Sequence, residues 1–527
     1  MNPTQTKERG LKKVWHVTAY AVGFALDGGV GQVLSLYYLY FLMYAMGLSP
    51  VLAGLVASLT KIWDGIIDPV IGLLVDKTNT KWGKCRPWLL ASVVPVFITY
   101  SLLWTNLGIE GTWGKFFYFI FVYMLFSTAS SIGIVPYDAL LPRMIDDYNE
   151  RTDYSSYRMI FSGIASVAST YIYEALIPVK TTADYANYTH NFAVMGMILG
   201  AMFAVPLGIT FLGSKEHKGL QDDAQEHYTF KETLRGYGEL LKSRLYRKCY
   251  AMTMLGAFNQ YAIVSTLVIF VLLVYSNLNY TVPLLGTITL TFITVNLKGG
   301  FEIAFFVPNI IAMKKRSKHF PLLIDLPILA AGLIILLLIT PQTPVWLFLL
   351  GVSLAGAGTS CLGFVPSALM PDLPDVDELI YGKRREGVSA GLVKMGKQVV
   401  QGLAFLIFSL LLAGFGLDES NTTPEQADFT SMLAVKLMLC VLPIACAAGM
   451  LLLSRNYKLN AESHAIVKKR IAQKREEGSV QLSSQEQELF ADIAGLPYEE
   501  LWIARQEIQP QLGDSLAAHE AALTRNE

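Results

Sequence analysis

The sequence is poor in charged residues. Only 16% of its 527 residues are Asp, Glu, Lys or Arg, against about 25% in an average soluble protein. Hydrophobic residues make up 53% of the chain, which is more apolar surface than one globular core can bury. This composition excludes an ordinary soluble domain and predicts a protein that crosses a membrane many times.

The sequence also lacks the residue patterns of metal centres and enzymes. Its five cysteines show no Cys-x-x-Cys or Cys/His spacing, so we expect them to be small core residues. The seven histidines lie mainly at the ends of the chain and in loops, which argues against a histidine proton relay. Because a nucleophile elbow, a phosphate-binding loop and a metal-ligand cluster are also missing, we predict no enzymatic activity, no cofactor, no nucleic-acid partner and no obligate protein partner.

Twelve apolar runs are long enough to cross a bilayer, which takes about 17–25 residues of helix. A hydrophilic stretch at 214–248 divides them six and six, so we expect an N-terminal half at 1–213, a C-terminal half at 249–454 and a polar tail at 455–527. This organisation predicts an all-α membrane protein of the major facilitator fold, with two six-helix halves. The runs lie near 17–46, 50–75, 88–106, 114–141, 158–178, 193–213, 250–276, 283–312, 320–340, 344–370, 387–416 and 432–454.

Basic residues are distributed unevenly among the loops between these runs. They are concentrated in the N-terminal segment, the central loop, the loops after the second and eighth runs and the loop before the eleventh. The loop 178–191 has one Lys or Arg residue, Lys180, and the loop 416–430 has none. Since cytoplasmic loops are enriched in Lys and Arg, we predict a plasma (inner) membrane protein with both termini in the cytoplasm. The tail is expected to be a partly disordered extension with helices at 461–477 and 484–508.

Two aspartates, Asp64 and Asp68, lie one helical turn apart inside the second run. A carboxylate at the bilayer centre costs about 2.5–3.5 kcal/mol on insertion scales, so such residues are usually functional. Their spacing places both on one face of a helix, and neighbouring carboxylates need a counter-charge. We favour a coupling cation, Na⁺ or H⁺, at this pair. An internal ion pair with Lys61 is the alternative.

Several other charged residues indicate a substrate cavity. Asp27 lies among glycines in the first run, and a carboxylate that accepts two hydroxyl hydrogens at once suits a polyol; the alternative is a packing role beside a lysine. Lys394 and Lys397 lie one turn apart in the eleventh run, next to Gln398. They require acidic partners or an acidic substrate. Arg158 opens the fifth run and is expected to reach the same cavity.

The remaining charges near the runs suit structural or gating roles. Lys298 and Glu302 in the eighth run are four residues apart and are spaced to neutralise each other; a role in handling substrate or ion is the alternative. Asp76 lies at the end of the second run, close in sequence to Arg86. We expect a gating ion pair or a lock on the helix end there.

Three sequence blocks resemble the glycoside–pentoside–hexuronide:cation symporter family, the melibiose permease-like branch of the major facilitator superfamily. The resemblance implies twelve helices and sugar uptake coupled to Na⁺, H⁺ or Li⁺. It assigns the cation to Asp64 and Asp68, sugar hydroxyls to Asp27 and a place near the sugar to Arg158. The blocks run from Trp63 to Trp88, from Pro136 to Arg158 and from Pro371 to Gly387.

The chain departs from the family pattern on the sugar side. Ile134 stands where melibiose permease has a second sugar-binding aspartate, and Asp138 replaces an aromatic residue. Gln398 takes the place of a family lysine, with Lys397 beside it. We therefore expect the cation half of the site to be kept and the sugar half, including Asp138, to be rebuilt. The extra basic residues favour an acidic glycoside such as a hexuronide.

Together these observations predict a secondary symporter that couples uptake of a sugar or glycoside to Na⁺ or H⁺ by alternating access. Its partners would be the carbohydrate and the lipid bilayer. The alternative is a facilitator-fold protein that does not carry sugar, such as a lipid transporter or a membrane sensor. Such a protein should have a more apolar cavity that opens sideways to lipid.

Overall fold

The computed structural model of the chain is almost entirely helical. Helices dominate because a backbone inside a bilayer must satisfy its own hydrogen bonds. The structure describes residues 14–145, 148–178, 187–216, 230–275, 278–282, 286–383, 385–415, 429–455, 459 and 461–504.

Twelve helices in the described part of the chain are long and apolar enough to cross a membrane, which confirms the predicted fold class. We name them span 1 to span 12, and each overlaps one predicted apolar run. In chain order they are Val14–Tyr38, Pro50–Lys77, Arg86–Leu103, Thr112–Leu141, Tyr154–Leu176, Thr189–Gly213, Arg244–Tyr275, Leu290–Lys315, Phe320–Leu338, Val345–Pro366, Gly387–Gly414 and Thr430–Ser454.

Three spans depart from regular α-helix. Span 1 ends in a π-helical turn, Leu34–Tyr38. Span 8 breaks at Phe305, just before Pro308, which has no N–H to continue the hydrogen-bond ladder of the first piece. Span 12 contains the π-helical segment Leu437–Val441. Pro443 follows this segment and likewise has no N–H to continue the hydrogen-bond ladder. These breaks come where the sequence removes a backbone donor or where span 1 borders the centre of the molecule.

The spans pack as two groups that meet along a central seam. In the first group span 1 packs on span 5, span 2 on span 4 and span 3 on span 6. In the second group span 7 packs on span 12, and spans 8 and 9 both pack on span 10. Spans 2 and 11 form an extensive contact across the seam. A site between the two groups is therefore walled by both.

Short elements connect the spans on each side. A two-stranded antiparallel hairpin, β1 (Asn279–Val282) and β2 (Gly286–Thr289), precedes span 8. The predicted run 283–312 includes part of it, and the helix starts only at Leu290, where Thr289 accepts a hydrogen bond from the Phe292 amide at 3.1 Å. Helix α1 (Phe230–Leu240) lies between spans 6 and 7 in the sequence and packs against span 11. Span 7 begins at Arg244, inside the stretch that the sequence assigns to the central loop.

The described part of the tail forms two helices that pack against the loop between spans 10 and 11. That loop contains helix α2 (Leu373–Tyr381), and the tail supplies α3 (Ala461–Glu477) and α4 (Ser484–Ala494). The helix predicted at 461–477 is confirmed. The helix predicted at 484–508 ends at Ala494, because Gly495 adopts the left-handed conformation with φ of +70°.

Residues 461–504 of the tail are folded and packed, and the expectation of partial disorder concerns residues that lie mostly outside the described part of the chain. Acidic residues of α2 pair with basic residues of α3: Glu378 with Arg475 at 2.5 Å and Asp375 with His464 at 2.8 Å. Apolar tail side chains are also buried, among them Phe490 of α4. Composition alone hides this packing, because the few apolar residues are spaced to fall on one face.

Candidate functional site

A cavity of about 500 Å³ lies between the two groups of spans. Spans 1, 2, 4, 7 and 11 form its walls. It brings together most of the predicted site residues, which come from distant parts of the sequence: Asp27, Lys61, Asp64, Asp68, Lys394, Lys397 and Gln398.

Asp64 is paired inside its own span. Its Oδ2 lies 2.9 Å from Nζ of Lys61, and both side chains are largely buried, at 13% and 18% exposure. Ser127 of span 4 donates a hydrogen bond to Oδ1. The internal ion pair that the sequence left open as an alternative is therefore present in this structure.

Asp68 is paired across the seam between the two groups of spans. Its Oδ2 lies 2.9 Å from Nζ of Lys394 in span 11 and accepts a hydrogen bond from Gln398 at 3.3 Å. Its Oδ1 accepts a hydrogen bond from Ser131 of span 4 at 2.5 Å. The prediction that lysines of the eleventh run meet acidic partners across the cavity thus holds for Lys394.

The two serines repeat the spacing of the two aspartates. Ser127 and Ser131 are four residues apart on span 4, as Asp64 and Asp68 are on span 2, so matching faces of two helices supply one hydroxyl for each carboxylate. Carboxylate and hydroxyl oxygens are ligands that hard cations accept. Each carboxylate now holds an ammonium group, which a proton or a metal cation would have to replace.

Asp27 projects into the same cavity from span 1. The neighbouring Gly28 lets span 1 approach span 5 closely, since a Cβ there would clash with Oγ of Ser162. The Asp27 side chain is exposed to the cavity. Neither Asp27 nor Lys397 forms a salt bridge within the described part of the chain. The cavity therefore offers one carboxylate and one ammonium group to a ligand.

Arg158 and Asp138 pair with each other. Nη1 of Arg158 lies 3.0 Å from Oδ1 of Asp138, and the guanidinium stacks over the ring of Phe24 at 4.5 Å. Neither residue lines the cavity. Their assignment to the substrate stays a prediction, and this structure shows them as a salt bridge between spans 4 and 5.

Lys298 and Glu302 form the self-neutralising pair that their spacing predicts. Nζ and Oε2 are 2.6 Å apart, and Lys298 is only 7% exposed. Glu302 also accepts a hydrogen bond at 3.3 Å from Gln260, which lines the cavity. The pair thus contacts the cavity wall through one amide side chain.

Asp76 and Arg86 do not pair with each other. Asp76 lies 3.4 Å from Arg143 at the end of span 4, and the Arg86 guanidinium donates to the backbone oxygen of Phe211. The N-terminus of span 3, next along the chain, is held by a residue that the sequence did not indicate. Glu216 accepts hydrogen bonds from three consecutive amides at the N-terminus of span 3, those of residues 84, 85 and 86, at 2.8–2.9 Å, where a carboxylate is favoured.

Glu174 is a second carboxylate that the sequence analysis missed. It accepts hydrogen bonds from Tyr37 of span 1 at 2.9 Å and from Thr289 at the start of span 8 at 2.7 Å. It is only 6% exposed. The signal was a lone carboxylate in the fifth apolar run. The hydrogen bond from Thr289 joins the two groups of spans on the side away from the basic loops, and the bond from Tyr37 is made within the first group.

Further contacts close the molecule on that same side. Ser58 of span 2 donates to the backbone oxygen of Gly402 in span 11 at 2.7 Å, and Tyr40 donates to that of Ser265 in span 7. On the opposite side, a groove of about 560 Å³ runs between spans 2 and 11 and shares Asp68 with the central cavity. The site is therefore accessible from the side of the basic loops.

The chain belongs to the MFS/sugar transport protein family, whose model matches residues 19–461. It is a multi-pass membrane transporter of the symporter type and not an enzyme. The resemblance that the three sequence blocks indicated is confirmed at this level.

Curated relatives point to more than one substrate class. An uncharacterised symporter of Synechocystis is 24% identical, over 86% of this chain and 95% of its own. A candidate glycoside/cation symporter of Escherichia coli, YagG, is 23% identical, over 86% of this chain and 95% of its own. Sodium-dependent lysophosphatidylcholine symporter 1 of Gallus gallus is 23% identical, over 92% of this chain and 94% of its own.

Solved structures with the same fold include a point mutant of the nucleoside transporter NupG. It has a TM-score of 0.61 and 13% identity, and the match covers 84% of this chain and all of that one. At this identity the likeness shows the fold alone.

Proposed function

We propose that the protein is a symporter that couples uptake of an acidic sugar or glycoside to Na⁺ or H⁺. The observation that carries this proposal is the arrangement of Asp64 and Asp68, each with a lysine and a serine, in the central cavity. This arrangement supplies oxygen ligands for a cation together with ammonium groups that the cation would release.

The charge of the cavity favours an acidic substrate. Its charged lining consists of three carboxylates and three ammonium groups, so it is balanced as it stands. A cation that enters leaves one excess positive charge in a poorly solvated space, which is costly unless it is compensated. A carboxylate on the substrate restores the balance, whereas a neutral sugar does not.

Binding of the cation and binding of the acidic substrate favour each other through the lysines. A cation at Asp68 frees Lys394, which lies one turn from Lys397 on span 11. Two adjacent ammonium groups then face the substrate's acidic group, while Asp27 accepts hydrogen bonds from its hydroxyls. By linkage, the substrate raises the affinity for the cation by the same factor.

The same exchange of ion-pair partners limits passage of the cation without its substrate. With both ligands bound, or with neither, the charges in the cavity are balanced and the two groups of spans rock around it. With the cation alone, a released lysine is left without a partner in the closing cavity. The cation therefore crosses mainly together with its substrate.

The test is counterflow in proteoliposomes with a panel of neutral and acidic glycosides, at varied Na⁺ and pH. We expect Na⁺- or pH-dependent accumulation of an acidic glycoside that is lost in Asp68→Asn. Glu110→Gln is the control, because Glu110 is exposed in the loop before span 4 and lines neither the central cavity nor the groove. Concentrative uptake by Asp68→Asn would overturn the cation role of that residue.

A second candidate is a lysophospholipid. The groove of about 560 Å³ has an apolar wall, including Ile66 and Leu73, and reaches the charged pair of Asp68 and Lys394. It could hold an acyl chain with its polar head at that pair, and several relatives are named for lysophosphatidylcholine. Adding this lipid to the panel decides between the two substrates, since transport of the lipid and of no glycoside favours the second.

We also propose that the protein lies in the plasma membrane with both termini in the cytoplasm. The loops rich in Lys and Arg all lie on one side of the spans, which supports this orientation. Reporter fusions at the two termini test it, and an external signal from either would contradict it.

A further inference from the structure

A second cavity, of about 460 Å³, lies at the ends of spans 8 and 10 on the side of the basic loops. It is separate from the central cavity and from the groove between spans 2 and 11. Its lining contains apolar side chains, which we call the floor, and basic side chains, which we call the rim, together with Ser317 and Asp372. The floor contains Ile310, Met313, Phe364, Ala368 and Leu459, and the rim contains Lys314, Arg316, Lys318 and His464.

Half of the basic rim has no acidic partner. Lys318 lies 2.6 Å from Asp372, and His464 is engaged by an acidic residue of α2. Lys314 and Arg316 are exposed and form no salt bridge to the described residues. Two positive charges therefore border an apolar cavity without compensation.

The position of this rim matches the surface of the bilayer. Span 8 ends at Lys315 and span 9 begins at Phe320, so the loop between them lies where the hydrocarbon region ends. Along span 8, Ile303, Val307 and Ile311 recur once per turn and are 62%, 62% and 48% exposed. These side chains form an apolar strip that leads along the helix toward the cavity.

We propose that this cavity binds one anionic glycerophospholipid of the surrounding leaflet. Its phosphate group lies between Lys314 and Arg316, and part of an acyl chain covers the apolar floor. A lipid satisfies both features, since the acyl chain removes the floor from water and a basic pocket between spans suits an anionic head group. A soluble phosphate would satisfy the rim alone. The tail contributes Leu459 and His464, so the lipid also joins the tail to the membrane.

Native mass spectrometry of the full-length protein, titrated with phosphatidylglycerol or with phosphatidylcholine of the same chains, tests the proposal. We expect one retained phosphatidylglycerol per protein, held more tightly than phosphatidylcholine. Each basic side chain near a membrane surface contributes about fivefold to the binding of anionic lipid, so the double variant Lys314→Gln/Arg316→Gln should lose most of the preference. The matched control is Lys77→Gln/Lys81→Gln, at the end of span 2 and in the loop after it, which should keep the preference.

A third variant separates a pocket from a diffuse positive surface. Ala368→Trp fills the floor and leaves every charge in place, so it should also release the lipid. An equal loss of preference in the control pair would overturn the proposal, and so would a preference that survives Ala368→Trp in a folded protein. Displacement of the lipid by glycerol 3-phosphate at low millimolar concentration would show that the head group alone is recognised and would overturn the lipid assignment.

Discussion

At the scale of single residues, the site is a set of exchangeable ion pairs. Lys61 and Lys394 occupy the two carboxylates of span 2 with the same separation of 2.9 Å, although one lysine is local and the other comes from span 11. Breaking either pair in a poorly solvated cavity is costly unless another charge takes its place. The lysines therefore set how strongly the cation must bind to enter.

The first prediction concerns Lys394→Gln. Without this lysine the cation no longer competes with an ammonium group at Asp68, so half-saturation should occur at a cation concentration about tenfold lower, equivalent to about 1.4 kcal/mol. The variant also lacks the ammonium group that would face the acidic group of the substrate, so uptake of an acidic substrate should fall. The dependence of uptake on Na⁺ and pH measures both effects.

Lys397→Gln is the matched control for that experiment. It removes an ammonium group from the same cavity without breaking an ion pair. It should therefore weaken binding of the acidic substrate and shift the half-saturating cation concentration much less than Lys394→Gln does. An unchanged cation dependence in Lys394→Gln would show that the lysine does not compete with the cation.

The sequence could identify the aspartates and their lysines but not their hydroxyl partners. Asp64 and Asp68 are conspicuous because carboxylates are rare inside apolar runs. Ser127 and Ser131 are ordinary residues in a membrane helix, and only the packing of span 4 on span 2 gives them a role. Glu216 was hidden for another reason, since an acidic residue in a polar loop carries no signal until a helix N-terminus is placed beside it.

At the scale of helices and loops, a buried arginine joins three segments on the basic-loop side. Arg385 lies between α2 and span 11, forms two hydrogen bonds to Asp377 of α2 at 2.9 and 2.7 Å, and contacts Glu239 of α1 at 2.5 Å. Arg385 is 6% exposed and Asp377 is 2% exposed. The arginine thus holds the central loop against the second group of spans.

The second prediction is that Arg385→Ala destabilises the protein by about 3–5 kcal/mol, because it leaves the Asp377 carboxylate buried without a partner. Thermal unfolding in detergent measures the loss. Arg235→Ala is the matched control, since Arg235 contacts the same Glu239 at 3.1 Å but is 83% exposed and should matter little. Equal melting temperatures for the two variants would contradict the prediction.

The stabilising effect of this contact should also depend on pH. The hydrogen bond from Arg385 is the main cause that lowers the pKa of Glu239 below its usual range. A lowered pKa in the folded state means that the contact stabilises the fold near neutral pH and is lost as the pH falls through that pKa. The part of the Arg385→Ala effect that comes from Glu239 should therefore shrink in acid.

At the scale of the whole molecule, the structure is closed on one side and accessible from the other. Glu174, Ser58 and Tyr40 take part in the polar contacts that close the side away from the basic loops. Alternating access requires these contacts to break while the groove on the opposite side closes. Their strength therefore sets the balance between the two orientations.

The third prediction is that Glu174→Ala shifts this balance toward opening of the closed side. The variant loses the hydrogen bonds from Tyr37 and Thr289, and a buried hydrogen bond contributes about 1–3 kcal/mol when its partner is removed. In a background without native cysteines, Ser35→Cys in the cavity should react about tenfold faster with an impermeant maleimide added from that side.

Glu110→Ala is the control for this measurement, because Glu110 is exposed in the loop before span 4. It should label at the rate of the parent protein. A parental rate in Glu174→Ala as well would show that this carboxylate does not hold the closed side together.

The outline of the molecule could be predicted further than its details. Long apolar runs report membrane spans directly, because the bilayer fixes their length and polarity. The packing of the tail helices could not be predicted in this way, since it depends on pairs such as Glu378 with Arg475 that join distant segments. The closed side was also hidden, because no pattern in one span indicates which partner it meets.

The balanced charge of the central cavity has an electrical consequence. An empty carrier whose lysines cover its aspartates moves no net charge when it reorients, and neither does a carrier that holds a cation together with a singly acidic substrate. A cation carried inward with a neutral sugar would gain about 2.3 kcal/mol per 100 mV of membrane potential. With an acidic substrate this gain vanishes, so accumulation would follow the concentration gradient of the cation and would be indifferent to voltage.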